Sequence, residues 1–236
     1  MDFRTFDDQS ITEGLHLGLG FLESSLLYIL NEGVPKTYFP SGKVLAMAVG
    51  CGHYSREASI IRAFHLLRFR IQPEDITAIG CDIDDLRPVK RIVGIDGKGD
   101  FVTQTYQRRS SDDDYDLILR GICGDASTDT PWLQGQNHHG EEDQKYDYTH
   151  IIYPYLSNLN SWCETIEKAF THISDKGILS IISEGSEDIS RLSRLQQMLI
   201  HTKKYQVGAL QGFCYESTTP RSSYDYGLLC AHLESG

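Results

Sequence analysis

The chain has 236 residues, enough for one large α/β domain and short for two of full size. It carries 33 acidic and 22 basic side chains, so its formal charge of −11 disfavours nucleic acid and an anionic membrane surface as partners. No apolar run reaches the roughly 18–20 residues of a membrane span, and the N-terminus does not resemble a signal peptide. Six scattered cysteines without a Cys-x-x-Cys spacing are typical of a cytoplasmic protein with reduced thiols.

The first 40 residues are predicted to form a helical cap ahead of the main domain, which we assign to residues 41–236. Apolar side chains between Ile11 and Leu30 recur at irregular helical spacing. The helix is expected to end at Asn31–Gly33, because glycine suits the position after a helix and Pro35 cannot continue one.

The next segment predicts one βαβ unit. A continuous apolar run over 43–49 indicates a strand that is buried on both faces of a parallel sheet. A Gly-Cys-Gly turn at 50–52 follows, then a helical pattern over about 54–70. A second apolar run at 75–82 ends in an acid. The crossover between the two strands should be right-handed.

The rest of the chain alternates strands and helices. Further strands are predicted at 115–123, 148–153, 177–183, 205–215 and 226–233, and helices at about 158–173 and 187–201. This order predicts a doubly wound, mainly parallel seven-stranded sheet in a three-layer α/β/α arrangement, with a C-terminal antiparallel strand pair. The stretches near 84–114 and 127–146 show little periodicity and are predicted to be insertions.

A cofactor site is predicted at the carboxyl ends of the first two strands of this unit, where open α/β sheets bind ligands. Gly50 and Gly52 let the backbone approach a ligand closely, and the following helix offers free N–H groups. A carboxylate at Asp82 can accept both hydroxyls of a ribose. Because Ser55 replaces the third glycine of the dinucleotide fingerprint, a cofactor without phosphates is favoured.

The sequence resembles the class I S-adenosylmethionine-dependent methyltransferases over about residues 38–233, in four motifs that occur in the family's order. The motifs are Val44-Leu-Ala-Met-Ala-Val-Gly-Cys-Gly52, Ala78-Ile-Gly-Cys-Asp82, Gly124-Asp125-Ala126 and Tyr146–Tyr155. The resemblance implies S-adenosylmethionine as cofactor and methyl transfer to a small molecule or a protein, with Asp82 on the ribose and Asp125 at the adenine amine. The implied cofactor-binding residues are Val49, Gly50, Cys51, Gly52, His53, Tyr54, Asp82, Ile83, Gly124, Asp125 and Ala126.

Two residues depart from the family's pattern. Ala48 stands where the family usually has an acid that organises the methionine end of the cofactor, and Tyr54 stands at the family's third glycine. These departures keep open a catalytically degenerate protein of the same fold that binds or scaffolds, and a NAD-dependent oxidoreductase is a second alternative. For Asp125 the alternative is a helix cap near Ser127.

Three side chains at predicted strand ends are candidates for a catalytic general base: His150, Tyr153 and Glu184. For His150 and Tyr153 the alternative is packing or a substrate wall. His138-His139 with the acids that follow, and the acids of 112–116, lack the spacing of metal ligands, so no metal site is predicted.

Overall fold

The computed structural model describes residues 1–40, 42–50, 56–72, 75–83, 101–106, 117–137, 144–154, 156–218 and 222–233. Its helices and strands, in chain order, are β1 Phe3–Asp7, α1 Thr12–His16, α2 Phe21–Gly33, β2 Val44–Val49, α3 Arg56–Phe69, β3 Ile76–Asp82, β4 Phe101–Tyr106, β5 Leu117–Cys123, α4 Thr130–Asn137, β6 Tyr146–Ile152, α5 Leu159–His172, β7 Ile173–Glu184, α6 Ser186–Thr202, β8 Tyr205–Val207, β9 Gln211–Glu216 and β10 Ser223–Leu233. None of the described helices is both long enough and apolar enough to cross a membrane.

The described strands form one sheet in the order β1-β9-β10-β7-β6-β2-β3-β5-β4, with β8 paired to β10. Strands β2, β3, β5, β6 and β7 are parallel to one another. Strand β10 runs antiparallel to both β7 and β9. The predicted mainly parallel sheet with a C-terminal antiparallel pair is therefore confirmed.

The described sheet has ten strands, so the predicted number of seven was wrong. The additional strands β1, β4 and β8 are short and lie at or near the edges of the sheet. Strand β1 was not predicted because it is largely exposed and its sequence has no continuous apolar run of the kind that marks a buried strand. Strand β4 falls inside the stretch 84–114, and β8 falls inside the single strand predicted at 205–215.

Two apolar cores lie on opposite faces of the sheet, and the side chains of β2 alternate between them. The first core, on the side of α2 and α3, receives Val44, Ala46 and Ala48. The second, on the side of α4, α5 and α6, receives Leu45, Met47 and Val49. All six residues of β2 are buried, because helices cover both faces of the strand.

The N-terminal segment is joined to the sheet, and it is not helical throughout as predicted. Strand β1 pairs with β9 in parallel register. Phe6 of β1 is buried and stacks on Tyr28 of α2 with ring centroids 4.7 Å apart. This segment therefore packs beside the C-terminal strand pair.

Part of the predicted insertion at 127–146 belongs to the core. Trp132 of α4 is fully buried, and its indole N–H donates to the carbonyl oxygen of Ala126 at 2.9 Å. The carbonyl oxygen of Trp132 accepts from the hydroxyl of Tyr146 in β6 at 2.8 Å. Helix α4 therefore covers the sheet, although its sequence shows little helical periodicity.

Candidate functional site

The ends of three predicted motifs lie side by side at one edge of the sheet. The N–H of Gly50, just after β2, donates to the carbonyl oxygen of Cys81 in β3 at 2.8 Å. The N–H of Gly124, just after β5, donates to the carbonyl oxygen of Asp82 at 2.8 Å. These two bonds bring Gly50, Asp82 and Gly124 to the same edge.

Gly50 starts the turn in a backbone conformation that favours glycine. Its φ is +72°, which lies in the left-handed region. Among the described residues, the ring of Trp162, at 3.9 Å, is the nearest group that a Cβ built on Gly50 would meet. Among the described residues, no atom therefore crowds the Cα of Gly50 on the side where a side chain would stand. The other predicted turn residues, Cys51, Gly52, His53 and Tyr54, lie outside the described residues.

Asp82 and Ile83 end the neighbouring strand with a carboxylate followed by an apolar side chain. Asp82 is half-buried, whereas Ile83 is 70% exposed. An exposed apolar side chain beside an acid fits a ligand that has a flat apolar ring and hydroxyl groups. Val49, on the other side of the turn, is buried in the second core.

The Gly124–Ala126 segment forms the turn that leads into α4. The side chain of Asp125 is exposed, and its Oδ1 accepts the N–H of Ser127 at 2.9 Å. This local bond has the form of an Asx turn, which agrees with the alternative that Asp125 caps the backbone near Ser127. Ala126 is buried and anchors Trp132 through its carbonyl oxygen. A contact of Asp125 with adenine stays a prediction.

Glu57, in the first turn of α3, is a candidate site residue that the sequence analysis did not name. Its side chain is nearly buried, and its Oε2 has no hydrogen-bond partner among the described residues. Burial raises the pKa of Glu57 to about 7. Its own backbone N–H and, less strongly, the charge of Arg56 oppose the rise, and the like charges of Glu23 and Asp82 add to it. In the sequence, the only indication of a role for Glu57 was that an acidic residue follows soon after the Gly-Cys-Gly segment. A buried carboxyl oxygen without a partner is costly, so the position suits a ligand that brings a cation or a donor.

Two of the three predicted catalytic candidates lie together at the ends of β6 and β7. Tyr153 has a left-handed φ of +49°, and its N–H donates to the carbonyl oxygen of Ile182 at 2.8 Å. Its side chain lies near that of Glu184 and that of Tyr226, which is paired with Glu184 in the sheet. Burial, followed by the effects of Tyr226 and Glu184, raises the pKa of Tyr153. Tyr153 therefore stays protonated at neutral pH and acts as a donor.

The third candidate, His150, lies inside the sheet. It is fully buried, and its Nδ1 lies 2.7 Å from the hydroxyl of Ser180. The same hydroxyl lies 2.6 Å from that of Tyr148. Burial lowers the pKa of His150 to about 3, so the ring is neutral at physiological pH. The structure supports the packing interpretation of His150 and gives it no access to the edge.

A cavity of about 700 Å³ opens beside Glu184 at this edge of the sheet. One wall comes from the N-terminal segment and the other from the C-terminal strand pair. Its lining residues include Asp8, Phe21, Glu184, Tyr215, Tyr224 and Tyr226. The cavity has the size of a site for a small organic molecule.

No group of three or more metal-ligating side chains occurs within the described ranges of the chain. The acids of 112–116 and the pair His138-His139 lie outside those ranges, as does Tyr155 of the fourth motif. The absence of a metal site there stays a prediction.

No family model matches the sequence, and no curated protein matches it significantly. Among solved structures, a SAM-dependent methyltransferase from Anabaena variabilis aligns with a TM-score of 0.52 and 8% identity, over 96% of this chain and 93% of that one. Precorrin-6y C5,15-methyltransferase from Geobacter metallireducens aligns with a TM-score of 0.47 and 9% identity, over 89% of each chain. At these identities the similarity concerns the fold alone. The conclusion on the fold rests on the Anabaena variabilis structure, which has the higher TM-score.

Proposed function

We propose that this chain, which has the fold of the class I S-adenosylmethionine-dependent methyltransferases, binds S-adenosylmethionine and transfers its methyl group to a small molecule or a protein. The observation that carries the proposal is the pair of backbone hydrogen bonds at Gly50 and Gly124. They align a left-handed glycine, a strand-end acid and an exposed apolar side chain at the edge where such sheets bind ligands.

The residues at this edge fit the parts of the cofactor. The carboxylate of Asp82 suits the ribose hydroxyls, and the exposed side chain of Ile83 suits the face of the adenine. The positive φ of Gly50 lets the backbone approach the ligand.

The methionine end of the cofactor carries an ammonium group, and Glu57 is the residue that we assign to it. Position 48, where the resembling family has an acid, is a fully buried alanine here. Glu57 offers a nearly buried carboxyl oxygen that has no hydrogen-bond partner among the described residues, and it lies close enough to Asp82 to be affected by its charge. An ammonium group at this point would satisfy that oxygen and offset the repulsion from Glu23 and Asp82.

The protein's own contribution to the reaction is positioning. S-adenosylmethionine, when bound, supplies a methyl group that is already a good electrophile. The chain's residues have to orient the acceptor and exclude water from it. Glu184 is the candidate for receiving a proton from the acceptor, and we assign the neighbouring Tyr153 to positioning the side chain of Glu184.

Calorimetry with S-adenosylhomocysteine, the stable product form of the cofactor, tests the proposal. We expect binding by the wild type and at least tenfold weaker binding by Asp82→Ala. The matched control Asp175→Ala removes an exposed acid near the opposite end of β7 and should leave affinity unchanged. Stabilisation by NAD and not by S-adenosylhomocysteine in a thermal shift assay would favour the oxidoreductase alternative.

Catalysis needs a separate measurement, because binding alone also fits a degenerate binding protein. The protein is incubated with S-adenosylmethionine carrying a labelled methyl group, together with a small-molecule extract and, separately, a protein extract. Label that enters either pool with native but not heat-denatured protein supports transfer. Tight cofactor binding with no transfer to either pool would favour the non-catalytic alternative.

A further inference from the structure

The cavity beside Glu184 is placed to hold a second molecule next to the proposed cofactor site. Strand β6 lies between β2, which ends at Gly50, and β7, which ends at Glu184. Two strand spacings separate the ends of β2 and β7, or about 10 Å. Tyr153, just after the intervening strand, lies near the cavity residues Glu184 and Tyr226, and both affect its pKa.

The walls of the cavity expose apolar and aromatic surface. Leu15 and Phe21 are each 45% exposed, and Tyr224 is 44% exposed. Tyr215 lies between two of these rings, with centroids 4.9 Å from Phe21 and 6.3 Å from Tyr224. Large apolar side chains that share one exposed concave surface are typical of a binding site.

The charged side chains among the described residues that line the cavity are the carboxylates of Asp8 and Glu184. Asp8 accepts hydrogen bonds from the hydroxyls of Thr218 and Tyr215, and these bonds lower the pKa of Asp8, which therefore stays ionised. Glu184 also lines the cavity, and its charge helps to raise the pKa of the neighbouring Tyr153. The described residues that line the cavity include no lysine or arginine. Carboxylates beside the faces of aromatic rings attract organic cations.

We propose that this cavity binds the methyl acceptor, and that the acceptor is an organic amine whose cationic nitrogen lies against Glu184 while its apolar or aromatic skeleton contacts Phe21 and the cavity tyrosines. This inference rests on the proposed function, because only a methyltransferase would methylate the molecule that binds in the cavity. The cation anchors the molecule. Its nitrogen can receive the methyl group only after one proton has passed to Glu184; otherwise another atom of the skeleton is methylated and the nitrogen stays protonated.

Three probes with the same phenyl skeleton and different charge test the proposal: phenethylamine, 2-phenylethanol and 3-phenylpropanoate. Each is titrated into the protein at matched ionic strength, with and without S-adenosylhomocysteine. We expect the amine to bind at least tenfold more tightly than the alcohol, and the carboxylate to bind most weakly.

Three variants separate the two parts of the site. Glu184→Gln should reduce the preference for the amine over the alcohol to less than about threefold. Phe21→Ala should weaken both the amine and the alcohol, because it removes an exposed ring from the wall. Glu167→Gln, on the exposed side of α5, is the matched control and should change neither. Thermal unfolding of each variant identifies any variant that fails to fold. If Glu184→Gln fails to fold, Phe21→Ala still tests the cavity.

The outcomes distinguish this inference from the proposed function. If S-adenosylhomocysteine binds and the amine shows no preference over the alcohol, the cavity assignment is overturned and the cofactor proposal stands. A preference that persists unchanged in Glu184→Gln also overturns the assignment. If the amine preference is present and depends on Glu184, while S-adenosylhomocysteine does not bind, the cation site stands and the methyl-transfer proposal is overturned.

Discussion

Replacing Glu57 with glutamine perturbs one carboxyl group of the proposed cofactor site and keeps its shape. Burial raises the pKa of Glu57 from its ordinary 4.5 to about 7. A difference of this size corresponds to about 3 kcal/mol between the ionised and the neutral side chain. The ionised form therefore carries a cost in the empty protein, which a bound ammonium group would offset.

This cost predicts how stability depends on pH. The pKa of Glu57 is higher in the folded than in the unfolded chain, so its contribution to stability is complete below about pH 4.5 and is lost as the pH rises through about 7. Glu57→Gln should therefore increase the free energy of unfolding at pH 8 by about 2–3 kcal/mol, which corresponds to a rise in Tm of roughly 5–10 °C. At pH 4 the two proteins should unfold alike.

Two ligands that differ in the methionine end test the assigned contact by calorimetry. S-adenosylhomocysteine has the ammonium group, whereas 5′-methylthioadenosine lacks the whole amino-acid part. A charge-assisted hydrogen bond contributes about 1.5–3 kcal/mol, so Glu57→Gln should weaken S-adenosylhomocysteine by about 10- to 150-fold. The affinity for 5′-methylthioadenosine should not fall.

The wild type should also bind S-adenosylhomocysteine about fivefold more weakly at pH 6 than at pH 7, because a carboxyl group with a pKa near 7 must first lose its proton. The variant should lack this dependence. Glu187→Gln, which changes an exposed acid in the first turn of α6, is the matched control. Equal weakening of both ligands by Glu57→Gln, or no weakening of either, would refute the assignment of the ammonium to Glu57.

Three further substitutions test the remaining parts of the structure. Asp82→Ala should weaken S-adenosylhomocysteine and 5′-methylthioadenosine alike, each by more than tenfold or about 1.4 kcal/mol in calorimetry, because both ligands contain the ribose. Ser180→Ala leaves the two buried side chains that share its hydroxyl without that partner, so urea unfolding should show a loss of about 2–4 kcal/mol. Gly50→Ala places a side chain at a φ of +72°, which should reduce the free energy of unfolding by about 1–2 kcal/mol and weaken cofactor binding. The control is Gly18→Ala, at a φ of +76°, where a Cβ would meet no described atom within 4 Å. It should reduce stability by a similar amount and leave cofactor binding unchanged.

Each of these expectations has an outcome that contradicts it. Asp82 is not a ribose ligand if its removal weakens only S-adenosylhomocysteine. A loss below about 1 kcal/mol in Ser180→Ala, at an unchanged denaturant slope, would mean that its hydroxyl contributes little to the core. Equal effects of Gly50→Ala and Gly18→Ala on cofactor binding would show that the turn at Gly50 does not contact the ligand.

The central sheet and one edge of the site were predictable because their signals are local. The run Val44–Val49 is apolar at every position, since helices cover both faces of β2. Parallel strands have their carboxyl ends at one edge, so Gly50 and Asp82 were expected to be neighbours, and the bond from Gly50 to Cys81 joins their strand ends. Strand β1 escaped prediction because three of its five residues are exposed and its pairing partner, β9, is about 200 residues away.

The amino-acid sequence by itself determined the fold class, the order of the central strands and helices, and the presence of a glycine and an acid at neighbouring strand ends. Each of these follows from hydrophobic period and chain order. The tertiary structure alone decided that Glu57 is buried while Asp125 is exposed. It also decided that His150 is enclosed and that the N-terminal segment forms one wall of the cavity beside Glu184. The physical reason is that desolvation and charge depend on the neighbours of a side chain in space, and distant segments of the chain supply those neighbours.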